Sequence, residues 1–342
     1  MNENIDIVIP WVDDSDMDWL REKRYWYNLL NPDQASNSDT RYQSWNNLHY
    51  WFRAVETYLP WFHKIFFITY GHIPDFLNLN HPKLKVVRHE DFIPREFLPT
   101  FHVNAIEMNL HRIPDLSENI IYFNDDTFPL RPIEEEYYYR DNQVCDEAVE
   151  TPIIPVLSGE IAKYTWNLRA LDTAVINRHF NKRQVQSANL EKWFCEDYGE
   201  LLKRNRSLRY WDNFVGFRDP HVPVALKKST FAKIWEAEPD ILKRTCESKF
   251  RTDSCVNQWL VRYWQLCTGD FIPRKTLGRS YAVNAHNCGE IAEIIREQKQ
   301  QMVCLNETCR AGEFDMVRHK INAAFQTLLP SRSSFEKQSH KG

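Results

Sequence analysis

The sequence predicts an α/β protein with a largely parallel sheet flanked by helices and a largely helical second half. Short apolar runs at 5–12, 64–69, 84–87 and 119–123 alternate with stretches of helical periodicity. Parallel strands need long crossover connections, usually helices, so this alternation favours a parallel sheet over hairpins. In the second half the helical pattern dominates, at 185–205, 231–245, 254–267 and 289–301.

Each element of the first half follows from its own pattern. The first strand stops at the acidic run 13–16, and residues 17–30 then carry a wide apolar stripe typical of a helix. Residues 44–59 place Trp45, Leu48, Phe52, Val55 and Leu59 on one side of an amphipathic helix. Residues 104–113 are predicted to form another helix before the strand at 119–123.

Composition excludes several classes of function. The chain of 342 residues holds 9 glycines, none spaced as a dinucleotide fingerprint or a phosphate loop requires. The net charge of −4 comes without a basic block, which argues against binding to nucleic acid. No apolar run approaches the length of a membrane span, and no CxxC pair suggests structural zinc. We expect a soluble cytoplasmic protein whose eight cysteines are reduced and mostly buried.

Acidic residues follow two of the predicted strands. Asp13 and Asp14 come after the first strand, and Asn124, Asp125 and Asp126 come after the strand at 119–123. Ligands of parallel α/β sheets bind at the carboxyl ends of the strands, so these residues are expected to converge. Neighbouring carboxylates can hold a hard divalent cation or act as a base. The other interpretation is local, because Asp and Asn also suit turns and helix N-caps.

Two residues of the second half are further candidates. His221 lies in a loop that Pro220 and Pro223 hold extended, where an imidazole could transfer a proton or contact phosphate. Arg251 precedes Thr252 and could bind an anionic ligand with its guanidinium fork. A merely exposed histidine and an ordinary surface arginine are the alternative interpretations.

Taken together, these stretches resemble the Stealth family. It comprises bacterial capsule and cell-surface polysaccharide phosphotransferases and includes the catalytic part of the animal N-acetylglucosamine-1-phosphotransferase. Four ordered blocks carry the resemblance, near 5–16, 41–133, 217–267 and 300–336, and they include Ile9-Pro10-Trp11-Val12-Asp13, Ile121-Tyr122-Phe123-Asn124-Asp125-Asp126, Pro220-His221-Val222-Pro223 and Phe250-Arg251-Thr252-Asp253. The resemblance implies one catalytic domain over 1–336 with a Rossmann-like, glycosyltransferase-like sheet, followed by a polar tail at 337–342.

The family's activity is then expected of this chain. It is the transfer of a hexose-1-phosphate or N-acetylhexosamine-1-phosphate from a nucleotide-diphosphate sugar, with a UDP-sugar as the expected donor. The acceptor is a hydroxyl of a glycan or lipid-linked oligosaccharide, and the products are a phosphodiester and a nucleoside monophosphate. No nucleic acid is involved. A lipid-borne acceptor would bring the protein to the inner face of the cytoplasmic membrane.

The resemblance also assigns roles to residues. Asp125 and Asp126 are expected to bind Mg²⁺ or Mn²⁺ or to take the acceptor proton, with His221 as the alternative acid or base and Arg251 as a stabiliser of charge. The expected substrate-binding residues are Asp13, Asp14, Arg41, Arg53, Glu107 and Asn124.

Two other functions remain open from the sequence. The first is a metal-dependent glycosyltransferase, which would attack the anomeric carbon and release a nucleoside diphosphate. The second is an inactive glycan-binding protein of a polysaccharide assembly system. The presence of Asp125, Asp126, His221 and Arg251 argues against the inactive protein.

Overall fold

The fold is known from a computed structural model that describes residues 3–33, 37, 42–155 and 160–338. Its strands, in chain order, are β1 (Ile5–Pro10), β2 (Ile65–Thr69), β3 (Leu84–Arg88), β4 (Asn119–Tyr122), β5 (Thr127–Pro129), β6 (Tyr139–Arg140), β7 (Gln143–Asp146), β8 (Val224–Lys227), β9 (Phe271–Pro273), β10 (Arg279–Val283) and β11 (Met302–Glu307). Its α-helices are α1 (Met17–Leu30), α2 (Leu48–Tyr58), α3 (Val103–Met108), α4 (Glu160–His179), α5 (Lys182–Ala188), α6 (Leu190–Trp193), α7 (Leu202–Leu208), α8 (Lys228–Ala237), α9 (Pro239–Glu247), α10 (Gln258–Thr268), α11 (Cys288–Arg296) and α12 (Phe314–Leu328).

The main sheet has five strands in the order β3-β2-β1-β4-β8. The first four run parallel, and β8 lies antiparallel to β4 at one edge. The strands β1, β2 and β4 are almost entirely buried, as expected for apolar strands covered on both faces. The predicted α/β class with a mostly parallel sheet is therefore confirmed, and the carboxyl ends of β1, β2 and β4 share one edge.

Two smaller sheets of three strands accompany the main one, in the orders β10-β11-β5 and β6-β7-β9. The first is the more important for the site, because β5 begins directly after the acidic residues that follow β4. Strand β5 pairs antiparallel with β11, which sets Cys304 opposite Thr127. The sequence analysis predicted neither small sheet. Four of their six strands have only two to four residues, which leaves almost no periodic signal.

Alternate residues of the main sheet face two different hydrophobic cores. Ile7 and Phe67 pack on one side with residues of α2, α11 and α12. Val8 and Phe66 point to the other side, where α8, α9 and α10 cover the sheet. This alternation is the two-residue period of a strand, here with both faces apolar. All eight cysteines are free, and six of them are buried.

The structure confirms α1 at its predicted bounds. The side chain of Asp16 accepts hydrogen bonds from the backbone N–H groups of Asp18 and Trp19, and Asn31 ends the helix in the left-handed conformation. The predicted helix at 44–59 is shorter, from Leu48 to Tyr58. In the part of the chain that is described, no helix is both long and apolar enough to cross a bilayer.

The second half is largely helical, as predicted, but its helices are divided differently. The expected helix at 185–205 is broken into short pieces, and Gly199 interrupts it with a φ of 55° that does not fit a right-handed helix. The expected helix at 231–245 is two helices, because Pro239 begins α9 and ends the hydrogen bonding of α8. The long helix α4 was not predicted.

Candidate active site

The turn after β4 carries three polar side chains at the carboxyl edge of the main sheet. The backbone N–H of Thr127 donates to the carbonyl of Asn124, which closes the turn. The backbone N–H of Leu305 in β11 donates to the carbonyl of Asp126. Asn124, Asp125 and Asp126 are thus held between the main sheet and the small sheet that contains β11.

Asp125 and Asp126 differ in their surroundings. Asp126 is half-buried, whereas Asp125 is exposed to solvent although protein atoms crowd around it. Desolvation by that crowding raises the pKa of Asp125, and the negative charge of Asp126 raises it further, to about 7. Two acids that repel each other form an electrostatic environment suited to a cation.

His221 lies against this turn, although 97 residues separate it from Asn124. Its Nε2 is 3.1 Å from Nδ2 of Asn124, and its Nδ1 is 3.5 Å from Sγ of Cys304. The residue has a φ of 52°, in the left-handed region that a non-glycine residue adopts only when its surroundings fix it. The structure therefore brings His221 close to Asn124 and Asp126.

Asp219 anchors the loop that carries His221. Its carboxylate accepts a 2.6 Å hydrogen bond from the hydroxyl of Tyr263 and pairs with Arg262 at 3.2 Å and with Arg169 at 3.1 Å. Arg262 in turn makes a bidentate pair with Asp146. This buried network fixes the loop two residues before the histidine.

Glu107 is buried beneath the turn, at the end of α3. Its Oε1 accepts a 2.7 Å hydrogen bond from the hydroxyl of Tyr122, and its Oε2 accepts one from the backbone N–H of Gln258. Burial raises the pKa of Glu107 to about 7, against the lowering effect of these bonds and of Arg251. A small recess above it is lined by residues that include Tyr122, Asn124, His221 and Gln258. Glu107 thus supports the floor of the recess from below.

Arg251 presents an unused donor. Its backbone N–H and carbonyl are both bonded to the side chain of Asn37, at 2.9 and 3.1 Å. Its Nη1 is buried, yet among the described residues it has no hydrogen-bond partner. A buried guanidinium donor without a partner costs free energy, which an anionic ligand would offset.

The acids after β1 take part in local turns. Oδ1 of Asp13 accepts hydrogen bonds from the backbone N–H and the hydroxyl of Ser15, and its own N–H donates to Nε2 of His72. Oδ2 of Asp14 accepts a hydrogen bond from the backbone N–H of Ser44. Both are half-buried at the same sheet edge as Asp126, and the bonds that the described residues make to them do not use all the lone pairs of the carboxylates.

Arg53 has a different role from the one expected. The sequence analysis expected it to bind substrate, but its guanidinium is buried and makes a bidentate ion pair with Glu336 at 2.7 and 2.8 Å. A third donor is bonded to the carbonyl of Leu329 at 2.9 Å. These bonds join α2 to the C-terminal segment. Arg41, the other arginine expected to bind phosphate, lies outside the described residues.

The oxygen atoms in the turn after β4 are suitable ligands for the expected Mg²⁺ or Mn²⁺. Both ions prefer oxygen ligands, and the carboxylates of Asp125 and Asp126 and the amide oxygen of Asn124 provide them. Desolvation raises the pKa of Asp125 most, and the negative charge of Asp126, which a cation would neutralise, raises it further. The residues therefore fit such an ion.

Three residues of the site were missed at the sequence level. Asp219 and Arg262 act through buried partners that are far apart in the sequence, and no local pattern distinguishes them. Cys304 stands in the apolar run 302–305, which has the pattern of an ordinary buried strand. Only the pairing of β11 with β5 brings its thiol to His221.

Comparison with known proteins identifies the family. Residues 41–146 match the family description "Stealth protein CR2, conserved region 2". A capsular polysaccharide phosphotransferase of Streptococcus pneumoniae is 40% identical over 98% of this chain and 99% of its own length. An exopolysaccharide phosphotransferase of Lactiplantibacillus plantarum is 34% identical over 98% and 96%, and a receptor polysaccharide phosphotransferase of Streptococcus gordonii is 32% identical over 98% and 100%.

Solved structures add little to this result. A structure of an active-site mutant of LgtC matches with a TM-score of 0.31 and 11% identity over 93% of this chain and 95% of that one. That similarity is too low to support any inference about fold or function. The identity to full-length relatives is decisive, and the resemblance stated from the sequence is confirmed: the chain belongs to the Stealth family.

Proposed function

We propose that this protein transfers a sugar-1-phosphate from a nucleotide-diphosphate sugar, a UDP-sugar in the first instance, to a hydroxyl of a capsular or exopolysaccharide acceptor. Its relatives are named polysaccharide phosphotransferases, which supports a transferase with a sugar donor and a glycan acceptor. In this proposal residues 1–336 act as one catalytic domain. The protein works in the cytoplasm, at the membrane's inner face when a lipid carries the acceptor.

One observation carries the proposal: His221 lies 3.1 Å from Asn124 at the carboxyl edge of the sheet. This contact joins two distant sequence blocks in one recess, and a ring nitrogen of His221 lies within 4.8 Å of a carboxylate oxygen of Asp126. In this proposal the imidazole is the proton-transfer group and the acids of the turn after β4 bind the cation. Phosphoryl transfer needs both, because charge develops on the phosphate oxygens while the attacking hydroxyl loses its proton.

The reaction follows from this placement. The acceptor oxygen attacks the phosphorus atom that bears the sugar, and the bond from that phosphorus to the bridging oxygen breaks. The nucleoside monophosphate leaves, and the sugar phosphate becomes a phosphodiester. In the proposed mechanism the acceptor hydroxyl displaces the amide of Asn124 from Nε2 of His221 and passes its proton to that nitrogen, while Nδ1–H faces Sγ of Cys304. The Nη1–H group of Arg251 donates a hydrogen bond to a diphosphate oxygen of the nucleotide sugar.

The other site residues position the substrates in this proposal. Asp13 and Asp14, after β1 at the carboxyl edge of the sheet, contact the nucleotide. Asn124 orients the ring of His221. Glu107 holds the floor of the recess through Tyr122. A divalent ion bound by Asp125 and Asp126 would supply neutralisation of the diphosphate charge.

Product analysis tests the proposal. The purified protein is incubated with a panel of nucleotide sugars, Mg²⁺ or Mn²⁺ and an acceptor glycan, and the released nucleotide is identified. We expect a nucleoside monophosphate that depends on the acceptor, with a new phosphodiester signal in ³¹P NMR of the glycan. Release of a nucleoside diphosphate would instead mean attack at the anomeric carbon, and the protein would be an ordinary glycosyltransferase.

One control variant and one further outcome complete the experiment. Asp115→Asn changes an acid whose side chain is 75% exposed and paired with Lys85 outside the recess, so it should release nucleotide like the wild type. Failure of the wild type both to release any nucleotide and to bind any donor would support the inactive glycan-binding protein.

A further inference from the structure

Three side chains of different chemistry meet where the turn after β4 contacts β11. A carboxylate oxygen of Asp126, a ring nitrogen of His221 and Sγ of Cys304 all lie within 4.8 Å of one another. Each comes from a different segment of the chain, so the cluster is a product of the fold. The expected Mg²⁺ or Mn²⁺ chemistry has no use for the thiol.

The distance between two of these atoms matches a specific coordination geometry. Tetrahedral Zn²⁺ binds nitrogen at about 2.0–2.1 Å and sulfur at about 2.3 Å, which places the two ligand atoms about 3.5 Å apart. Nδ1 of His221 and Sγ of Cys304 are 3.5 Å apart. The two atoms could therefore bind one ion without moving relative to each other.

The chemistry of the ligands selects the ion. Imidazole and thiolate are borderline and soft ligands that favour Zn²⁺ or Co²⁺, whereas Mg²⁺ prefers oxygen. We propose that Asp126, His221 and Cys304 form a binding site for Zn²⁺, separate in chemistry from the hard-cation site of Asp125 and Asp126. The bound ion takes both Asp126 and His221, so the two kinds of metal compete at this edge of the sheet.

The surroundings of the cluster support metal binding. Cys304 is completely buried, whereas Asp126 and His221 are half-buried and give an ion access from the recess. With the ion on Nδ1, the ring carries its proton on Nε2, 3.1 Å from the amide of Asn124. Turned so that its oxygen faces the ring, this amide accepts that proton and fixes the imidazole, as partners of metal-bound histidines do. The thiol gives its proton to solvent when the ion binds.

The same 3.5 Å separation also fits a hydrogen bond between a thiol and an imidazole, with no metal involved. Co²⁺ distinguishes the two, because it replaces Zn²⁺ in such sites and reports its ligands by absorption. A thiolate ligand produces an intense near-ultraviolet charge-transfer band, and tetrahedral coordination produces strong visible bands. An octahedral site of oxygen ligands shows neither.

The experiment titrates the metal-free wild-type protein with Co²⁺ alone. We expect both sets of bands to saturate at one equivalent of Co²⁺ and to disappear when Zn²⁺ is added. Cys304→Ala should abolish the charge-transfer band. Cys288→Ala, which removes another buried thiol outside the cluster, should keep it. His221→Ala should weaken binding of Co²⁺ by about tenfold or more.

The outcomes separate clearly. A wild-type spectrum without the thiolate band, or a band that survives in a folded Cys304→Ala protein, would overturn the proposal. If Cys304→Ala does not fold, the wild-type spectrum and the affinity of His221→Ala for Co²⁺ still test whether the site exists. The metal site does not depend on the proposed function. The expectation that Zn²⁺ inhibits sugar-phosphate transfer, by occupying Asp126 and His221, does rest on the proposed function. Thiolate bands with unchanged turnover in Zn²⁺ would keep the site and refute the role of His221 in transfer.

Discussion

Replacing Arg53 with methionine should destabilise the protein without weakening its affinity for the donor. The guanidinium makes three hydrogen bonds of 2.7–2.9 Å, two to Glu336 and one to the carbonyl of Leu329. Methionine fills much of the same volume but leaves the carboxylate of Glu336 buried without its partner. The side chains of Arg53 and Glu336 are only 8% and 5% exposed, so water cannot replace the lost bonds.

The size of the effect follows from this burial. Breaking a buried ion pair by removing one partner costs about 3–5 kcal/mol. We expect about 3 kcal/mol, the lower end, because the C-terminal segment that carries Glu336 can move towards solvent. With an unfolding entropy of about 2.1 cal/mol/K per residue, a chain of this length should lose about 4 °C in Tm.

Calorimetry or thermal shift on two matched variants measures the effect. Lys85 and Asp115 form an ion pair of the same 2.7 Å length, but their side chains are 35% and 75% exposed. Lys85→Met should therefore cost below about 1 kcal/mol. The double variant Arg53→Met with Glu336→Gln should recover part of the loss, since no unpaired charge remains. An Arg53→Met protein with unchanged Tm and a strongly raised KM for the nucleotide sugar would refute the structural role. Such a result would favour the original prediction that Arg53 binds substrate.

Three further predictions concern the candidate active site. Asp126→Asn and His221→Ala should each lower turnover at least ~10²-fold with unchanged Tm, because each removes one positioned group, and wild-type rates would contradict the site assignment. Arg251→Lys should lower kcat/KM for the donor about tenfold or more, because an ammonium cannot reproduce the guanidinium fork, and a neutral result would make Arg251 structural. Burial raises the pKa of Glu107 from 4.5 to about 7 in the folded protein, so the folded state holds this proton more tightly than the unfolded state. The resulting contribution to the free energy of unfolding is fully present below pH 4.5 and is lost as the pH rises through 7. The total loss is at most about 3 kcal/mol. Urea unfolding of Glu107→Gln at several pH values should lack this loss, and a slope identical to that of the wild type would contradict it.

The sequence predicted those parts of the fold that depend on local pattern. Apolar runs identified the parallel strands, and their order along the chain placed Asn124 and Asp126 at strand ends. Helix α1 was predicted at its observed bounds from the apolar stripe that follows the acidic run 13–16, and the structure shows that Asp16 caps its start and Asn31 ends it in the left-handed conformation. These signals need only neighbouring residues, so they can be recognised without knowledge of the tertiary structure.

The rest depends on contacts between distant residues. Arg53 is buried because it pairs with Glu336, which lies 283 positions away in the sequence. An arginine that binds substrate at the surface and one in a buried ion pair cannot be distinguished from sequence. The thiol of Cys304 reaches His221 only because β11 pairs with β5. The same limit explains the broken helix at 185–205, where the apolar period was counted across Gly199 although its backbone cannot continue the helix.

The placement of His221 shows how far the site extends beyond the residues that could touch substrate. Its left-handed backbone is tolerable only because the surrounding structure holds it, and Asp219 is the nearest anchor. Asp219 depends on Arg262, which is itself oriented by Asp146 on β7. The imidazole is thus positioned through a chain of buried ion pairs that begins in a small sheet outside the main one. Changes in that chain should therefore impair transfer by displacing His221, although among the described residues none of the three is hydrogen-bonded to Asn124 or Asp126.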